Sequence, residues 1–408
     1  MLVAAILTMA EFVHAQTWTQ TLAPYEGWHS IASSASGNSV IAVGGNWTCM
    51  ASTNFGTDWV PISEPQQGSL SGSWYQIASS ADGTKLLATT TVGGVWVSTN
   101  SGTTWLSNNV PSVIYWGPVV MSADGSFLVA AAGGLGSPPG FIYTSTNWGT
   151  SWNPTSAPTN DWTSIASSAD GTKLVAVADI DAPAYSGIMY KSTNSGASWT
   201  PVNTPGKDWS SVACSADGTK VVAVNQVEYS SVPGHIYTST DSGATWVSNG
   251  LPTCIWESVA VSADGNTIVT GGSPVVGSAP VTNLADIFVS TNFGASWSSN
   301  ILSSDFFDGY VVTVKASADG GRFYAGTLGG LVFTSQSTPV PSLNLTPSTT
   351  NLTLAWTVPS TNLVLQQSLD LSSWIDLTNP PILNLTNLQN QVTLAPFNKS
   401  GFYRLKTP

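Results

Sequence analysis

The sequence predicts an all-β protein: a seven-bladed β-propeller closed by its own N-terminal strand, followed by a small β-sandwich. Three observations carry this. One phrase recurs over residues 25–335, W-x-x-I-A-x-S-A-D-G-x-x-x-V-A-V and then G-x-I-Y-x-S-T-N-x-G-x-x-W. Its closing tryptophans, Trp59, Trp105, Trp152, Trp199, Trp246 and Trp297, stand 46, 47, 47, 47 and 51 residues apart, a period that short strands fill as one blade per repeat. Only 8% of the 408 residues are charged, with 38 Gly and 24 Pro, which suits short strands joined by polar turns and excludes helix bundles and coiled coils. Finally, the turn glycines Gly37, Gly83, Gly125, Gly171, Gly218, Gly265 and Gly320 make seven copies, one more than the closing tryptophans.

Within a repeat four strands are expected. The first begins at a tryptophan and runs to the Ala-Asp-Gly turn, as over 162–168. The second, as over 173–178, is almost wholly apolar and belongs in the middle of a blade. The third, as over 188–192, alternates and leads through Ser-Thr-Asn-x-Gly into the fourth. Asn or Asp can bond its own backbone two residues on, Gly accepts positive φ, and the closing Trp can fold over the hairpin. Asn54, Asn100, Asn147, Asn194, Asp241 and Asn292 are therefore read as turn formers. The seventh repeat stops at Ser335 without its tryptophan turn, and Thr17-Trp18-Thr19-Gln20 with Pro24 matches the missing piece, Trp199-Thr200-Pro201. The N-terminal segment is thus expected to supply the outermost strand of the last blade, which also covers a sheet edge.

The phrase S-T-[ND]-x-G-x-x-W resembles the Asp-box (BNR) repeat of sialidases, GH74-type xyloglucanases, sortilin-like receptors and photosystem II assembly-factor propellers. The resemblance implies blades and leaves the chemistry open. Sialidase chemistry needs three clustered arginines, and the chain has two in all, Arg322 and Arg404; it is excluded. GH74-type enzymes clamp a glucan between two propellers, and one is present. The assembly-factor propellers carry an arginine-rich patch that this chain cannot build. Protease or esterase chemistry has no nucleophile signature, and the histidines are His14, His29 and His235; the last two are read as structural.

At the N-terminus, residues 1–15 read as a signal peptide. Leu2 to Ala10 is apolar and Val13-His14-Ala15 offers a cleavage site, although no basic residue precedes them and Glu11 interrupts. The expected location is secreted, periplasmic or cell-surface. No other stretch reaches the ~18 apolar residues of a membrane span. The propeller is assigned to 16–335, a proline-containing linker to 336–343, and a second module to 344–408. There LVLQQSLDLSSW and FYRL resemble a small fibronectin-III-like C-terminal module of exported Verrucomicrobia and Planctomycetes proteins, implying adhesion or spacing. Trp356, Trp374, Phe402 and Tyr403 are its expected core. Cys49, Cys214 and Cys254 fit neither a disulfide framework nor a metal knuckle and are read as buried small hydrophobes.

A net charge of −12 with ten Lys plus Arg excludes a phosphate-backbone binder, so no nucleic acid partner is expected. The Ala-Asp-Gly and Asp-box turns share one face of a propeller. The connections on the other face vary in length, over 178–186, 225–233, 271–286 and 302–309, and such loops on a rigid ring are the default place for recognition. Glu228, Tyr229, Glu257, Asp286, Phe306 and Tyr310 form the expected ligand-binding cluster, since aromatic platforms flanked by carboxylates suit a sugar. Should the chain be a glycosidase, Glu257, Asp305 and Asp308 are the catalytic candidates, two carboxylates about 5 to 9.5 Å apart being required. No cofactor is expected; Asp179 and Asp181, or Asp305 and Asp308, are candidates for a structural calcium. Trp28, Trp74, Trp116, Trp162, Trp209 and Trp256, each nine residues before its turn glycine, are read as wedges between blades, the alternative being a sugar-stacking ring. Trp47, Trp96 and Trp148 break the repeat. The leading reading is a non-catalytic propeller that binds a glycan or an extracellular protein at its variable-loop face. The alternatives are a polysaccharide-active glycoside hydrolase and a cell-surface scaffold.

Overall fold

The computed structural model describes residues 17–62, 73–91, 94–107, 110, 115–133, 139–179, 187–204, 208–225, 234–276, 279–280, 286–302, 311–336, 343–347, 351–357, 364–369, 373–377, 381–384, 389–394 and 402–406. They are almost entirely β. The repeats fold into antiparallel meanders, each hydrogen-bonded in chain order from its first strand outwards. The fourth is representative, with Asp161–Ser167, Leu174–Asp179, Ile188–Ser192 and Thr200–Val202 side by side. The seventh consists of Val311–Ala316, Arg322–Thr327 and Val332–Gln336, and its fourth strand is Thr17–Gln20. Trp18 pairs with Ser335 there, and its ring lies 6.3 Å from that of Phe323.

One boundary differs from expectation. The fourth strand of the fifth repeat and the first of the sixth were expected to be separated by a loop, yet Val247–Val261 is one continuous strand. It pairs with Gly234–Ser239 on one side and with Ile268–Val276 on the other. The cause is the length of that second strand. It extends to Val276, so Cys254 finds a ladder partner in Pro274 as well as in Gly234.

Burial follows the sequence pattern. Val221–Asn225 is buried at every position, as a central strand covered on both faces must be. The Asp-box turns are held by their own side chains. Ser52 Oγ accepts from Gly56 N at 2.9 Å, and Asn54 Oδ1 accepts from Asp58 N at 2.9 Å. Phe55 and Gly56 both sit at positive φ, 64° and 81°, a pair of left-handed residues that glycine makes tolerable in second place. The same bonds recur at Ser98, Ser145, Ser192, Ser239 and Ser290.

In the Ala-Asp-Gly turns, Asp82 accepts from Thr84 N at 2.9 Å and from the Ser80 hydroxyl. Partial burial alone would raise the Asp82 carboxyl, but these bonds outweigh it and hold the group below the ordinary carboxylate value. Asp124, Asp170 and Asp217 are lowered in the same way. Asp241 in an Asp-box turn is lowered by hydrogen bonds from Thr245 and Ser239. A depressed folded-state pKa gives stability that is present above the unfolded value, about 3.9, and lost as pH falls through the folded one. Thermal midpoints are therefore expected to be level from pH 7 to about 5 and to fall below about pH 4. Asp170→Asn should flatten that fall, which melts across a pH series would show.

The sheets sit side by side in a propeller-like arrangement. The six first-strand tryptophans are each at most 2% exposed. They wedge between neighbours: Trp74 joins Ile41, Val43 and Cys49 of the first sheet to Leu86, Ala88 and Trp96 of its own. The stacking-ring alternative is thereby corrected. Trp96, which breaks the repeat, is buried in that same cluster. Trp47 caps Trp74, accepting its indole N–H at 3.1 Å, and packs edge-on against its ring. Trp148 lies under Lys85 Nζ at 4.4 Å.

Two further sets of bonds tie sheet to sheet on the turn side. Ala35 N donates to Ala81 O, and the relay continues through Ala123, Ala169, Ala216, Ala263 and Ala318 back to Ala35, seven bonds of 2.7–2.9 Å. Lys85, Lys173 and Lys220 reach across to the carbonyls of Asp124, Asp217 and Asp264 at 2.7–3.0 Å. Tyr324 donates to Gly37 O in the same sense.

Past residue 342, Asn344–Pro347, Leu352–Thr357, Gln389–Leu394 and Ile382–Asn384 form one sheet and Ile375–Asp376, Val364–Ser368 and Phe402–Lys406 another. Leu354, Trp356, Leu365, Val392 and Tyr403 share one apolar cluster. Among the described residues no helix is long and apolar enough to cross a membrane.

Candidate functional site

The first strands of the seven sheets lie one beside the next, and corresponding sequence positions along them define levels. The residue after the wedge is His29, Tyr75, Gly117, Thr163, Ser210, Glu257 or Val312, half-buried in every repeat but the third. This level lies at the variable-loop end. Several of its members bond the next sheet: His29 Nδ1 donates to Trp74 O at 2.7 Å, Thr163 Oγ1 to Trp209 O at 2.8 Å, and Ser210 Oγ to Trp256 O at 2.6 Å. Burial raises the Tyr75 phenol, and the nearby Asp161 carboxylate adds to the shift. The His29 and Tyr75 rings are 6.4 Å apart. This level therefore carries a chemically mixed set, His29, Tyr75, Thr163, Ser210 and Glu257.

One position further on, Ser164, Ser211 and Ser258 accept from the amides of Val212, Val259 and Val314 in the following sheets at 3.1–3.3 Å. These hydroxyls satisfy strand-edge donors that would otherwise stand open to the channel. At the turn end, Ser33, Ser79, Met121, Ser167, Cys214, Val261 and Ala316 line a cavity of about 200 Å³ bounded by the alanine relay. Cys214 is no nucleophile there. Burial, reinforced by Asp217, pushes its thiol up to about 12. None of the three cysteines is disulfide-bonded.

Of the expected ligand-binding residues, Glu257 falls on the channel rim, on the strand Val247–Val261. Asp286 begins the third strand of the same repeat, in register with Trp256 through Gly272, so two strand spacings, about 10 Å, separate the Asp286 and Trp256 backbones. Burial raises the Asp286 carboxyl, and its Oδ1 is buried without a hydrogen bond. Burial also pushes the Cys254 thiol up to about 12, with the negative charge of Asp286 adding to it. Glu228, Tyr229, Asp305, Phe306, Asp308, Tyr310 and Asp181 lie outside the described residues, as does the side chain of Asp179. Sequence reading passed over Tyr75, Thr163 and Ser210 and assigned His29 to the framework. The available signal was contrast: the position after an invariant wedge changes chemistry from repeat to repeat, which a packed position would not tolerate.

Sheets of this kind side by side define a propeller-like, all-β class of protein. No family profile matches the sequence, and no curated protein matches it. Solved structures share the fold. YCF48 bound to a D1 peptide has 13% identity and a TM-score of 0.58, covering 80% of this chain and 99% of that one. YCF48 from Cyanidioschyzon merolae has 14% identity and a TM-score of 0.58, with 78% and 98% covered. A chain of Kuenenia stuttgartiensis hydrazine synthase has 13% identity and a TM-score of 0.59, with 81% and 100% covered. At these identities the likeness is one of fold alone.

Proposed function

We propose that the chain is an exported, closed seven-bladed propeller of Asp-box type that binds an extracellular partner, without catalysis, at the loop-face rim of its channel. The residues past 343 then serve as a small sandwich that spaces or anchors the ring. One observation supports the binding assignment: side chains recur from repeat to repeat on the turn face and vary on the loop face. On the turn face the recurrent Ser, Asn, Asp and Lys side chains are spent on internal and sheet-to-sheet bonds. On the loop face the repeat frame ends in seven unlike residues around an opening, and a rigid scaffold with a variable rim is how loops come to carry recognition. A peptide-bound propeller among the structural likenesses favours a protein segment as the partner over a glycan.

Peptide and glycan arrays probed with the full chain test this. Glu257→Gln and Tyr75→Ala are each expected to weaken the captured ligand at least about tenfold, the scale of one charged hydrogen bond or one aromatic contact, measured at a temperature where both variants remain folded. Binding that survives both changes would remove the rim from consideration. Reducing ends released from a polysaccharide, and abolished by a carboxylate change, would replace binding by hydrolysis.

A further inference from the structure

Of the large apolar side chains exposed on the repeats, Val60, Leu106, Phe141 and Val247 belong to four different sheets, dispersed as on any soluble surface. Three others meet where the seventh sheet joins the first. Leu22 and Tyr25, 78% and 64% exposed, lie in the connection from the N-terminal strand to Trp28, and Leu328, 49% exposed, lies in the hairpin before Gly330. The two segments are bonded together. Thr21 N donates to Val332 O at 2.8 Å, and Glu26 N and Trp28 Nε1 donate to Gly330 O at 3.3 and 3.0 Å. Leu22 and Tyr25 are therefore carried on a span pinned at both ends against the hairpin that holds Leu328.

The same connection occurs between the third and fourth sheets with polar residues. There Thr155 N donates to Ile142 O at 2.8 Å, and Asn160 N and Trp162 Nε1 donate to Gly140 O at 3.1 and 2.9 Å. Ala23 N donates to Thr21 Oγ1 at 3.2 Å in one copy, and Ala157 N to Thr155 Oγ1 at 3.3 Å in the other. Ser156 and Thr159, both exposed, stand where Leu22 and Tyr25 do. In the second sheet Thr91 takes the place of Leu328, since Thr90 pairs with Trp74 as Thr327 pairs with Val311. The connection thus closes equally well with hydroxyl side chains. Folding does not call for the three apolar ones, and leaving them in water is unfavourable.

We propose that this corner docks a peptide segment in which a leucine or aromatic side chain stands next to a lysine or arginine. Apolar side chains gathered on a surface mark contact with a partner, and the charge selects its class. Glu26, half-buried beside Tyr25, is the sole Asp, Glu, Lys or Arg in 17–31 and 325–333. A carboxylate among apolar side chains, on a chain of net charge −12, attracts a cationic partner and repels an anionic one. Tyr25 adds a ring face suited to a cation. The corner lies beside the rim level, which begins at His29, and its assignment does not depend on binding there.

The test pans a random hexapeptide library displayed on phage against the full chain. Sequences with Lys or Arg adjacent to Leu, Phe or Tyr should be enriched. Leu22→Ser, Tyr25→Thr and Leu328→Thr combined, the residues of the sister connections, should weaken a synthetic copy of the leading peptide at least about tenfold, the effect of losing contact with several buried methylenes. Glu26→Gln should weaken it about threefold at low salt, the scale of an exposed ion pair, and leave it unchanged at an ionic strength of about 1 M. Should the triple variant misfold, photo-crosslinking of the peptide to wild-type protein decides, with the label expected on 22–26 or 327–330. A peptide that loses affinity in Glu257→Gln and Tyr75→Ala but not in the triple variant binds the rim alone and overturns the proposal; the converse pattern supports the corner and leaves the rim to its own arrays. No enrichment, enrichment of acidic or wholly polar sequences, or a crosslink elsewhere would also overturn it. So would binding to phosphatidylcholine vesicles that the triple variant abolishes, which would make the corner a membrane contact.

Discussion

Deleting Thr17–Thr21 is expected to lower stability by about 5 kcal/mol, whereas a deletion of equal length within 338–342 should change it by less than about 1. The segment is four residues of strand, Thr17–Gln20, laid against Val332–Gln336, with Thr21 N donating to Val332 O at 2.8 Å. Its removal strips several ladder bonds, each worth about 1 kcal/mol net, and exposes the middle of the seventh sheet. Trp18 is only half-buried over Phe323, so Trp18→Ala alone should account for about 2 kcal/mol. Urea titrations of the three proteins would measure this, and a peptide spanning 16–24 added in trans should restore part of the loss. Equal midpoints for the deletion and its control would show that the seventh sheet stands without the N-terminus.

Trp256→Ala is the second large effect, about 3–5 kcal/mol. Its ring is fully buried, 5.2 Å from Phe288, and it packs with Val222, Val224, Ile236 and Cys254 of the preceding repeat. Removing it leaves a void that two sheets share, and neither can move in to fill it while the strand Val247–Val261 ties them together. Trp256→Phe should recover most of the loss because the apolar fill matters more than the indole N–H, which has no hydrogen bond. Thermal melts of both variants are the check. A loss in Trp256→Ala below about 1 kcal/mol, the scale of an ordinary surface change, would mean the wedges are dispensable.

The framework was legible because it repeats. A serine that caps a glycine amide, an asparagine that closes an Asx turn and a tryptophan at a fixed offset leave the same trace six or seven times, and the offset itself reveals the period. The unpaired seventh repeat and its complement at Trp18 could be found by subtraction. What escaped reading was whatever departs from the repeat at a position where chemistry, and not spacing, decides. Trp47 looked surplus until its carbonyl proved to receive the Trp74 indole. The continuous strand at 247–261 was hidden because ladder partners, set by the neighbouring strand's length, are not local properties of the residues that gain them.

The alanine relay has an electrical consequence. Each peptide group in it carries a dipole, and all seven point the same way around the circle, from one sheet's N–H to the next sheet's carbonyl. Tangential dipoles arranged head to tail on a closed circle sum to nothing in its plane. A helix concentrates partial charge at its ends by the opposite arrangement, in line. Sheets contribute little more, since the dipoles of neighbouring strands alternate. The relay therefore adds no net dipole of its own. Polarity on this side of the sheets is then left to side chains such as Glu257.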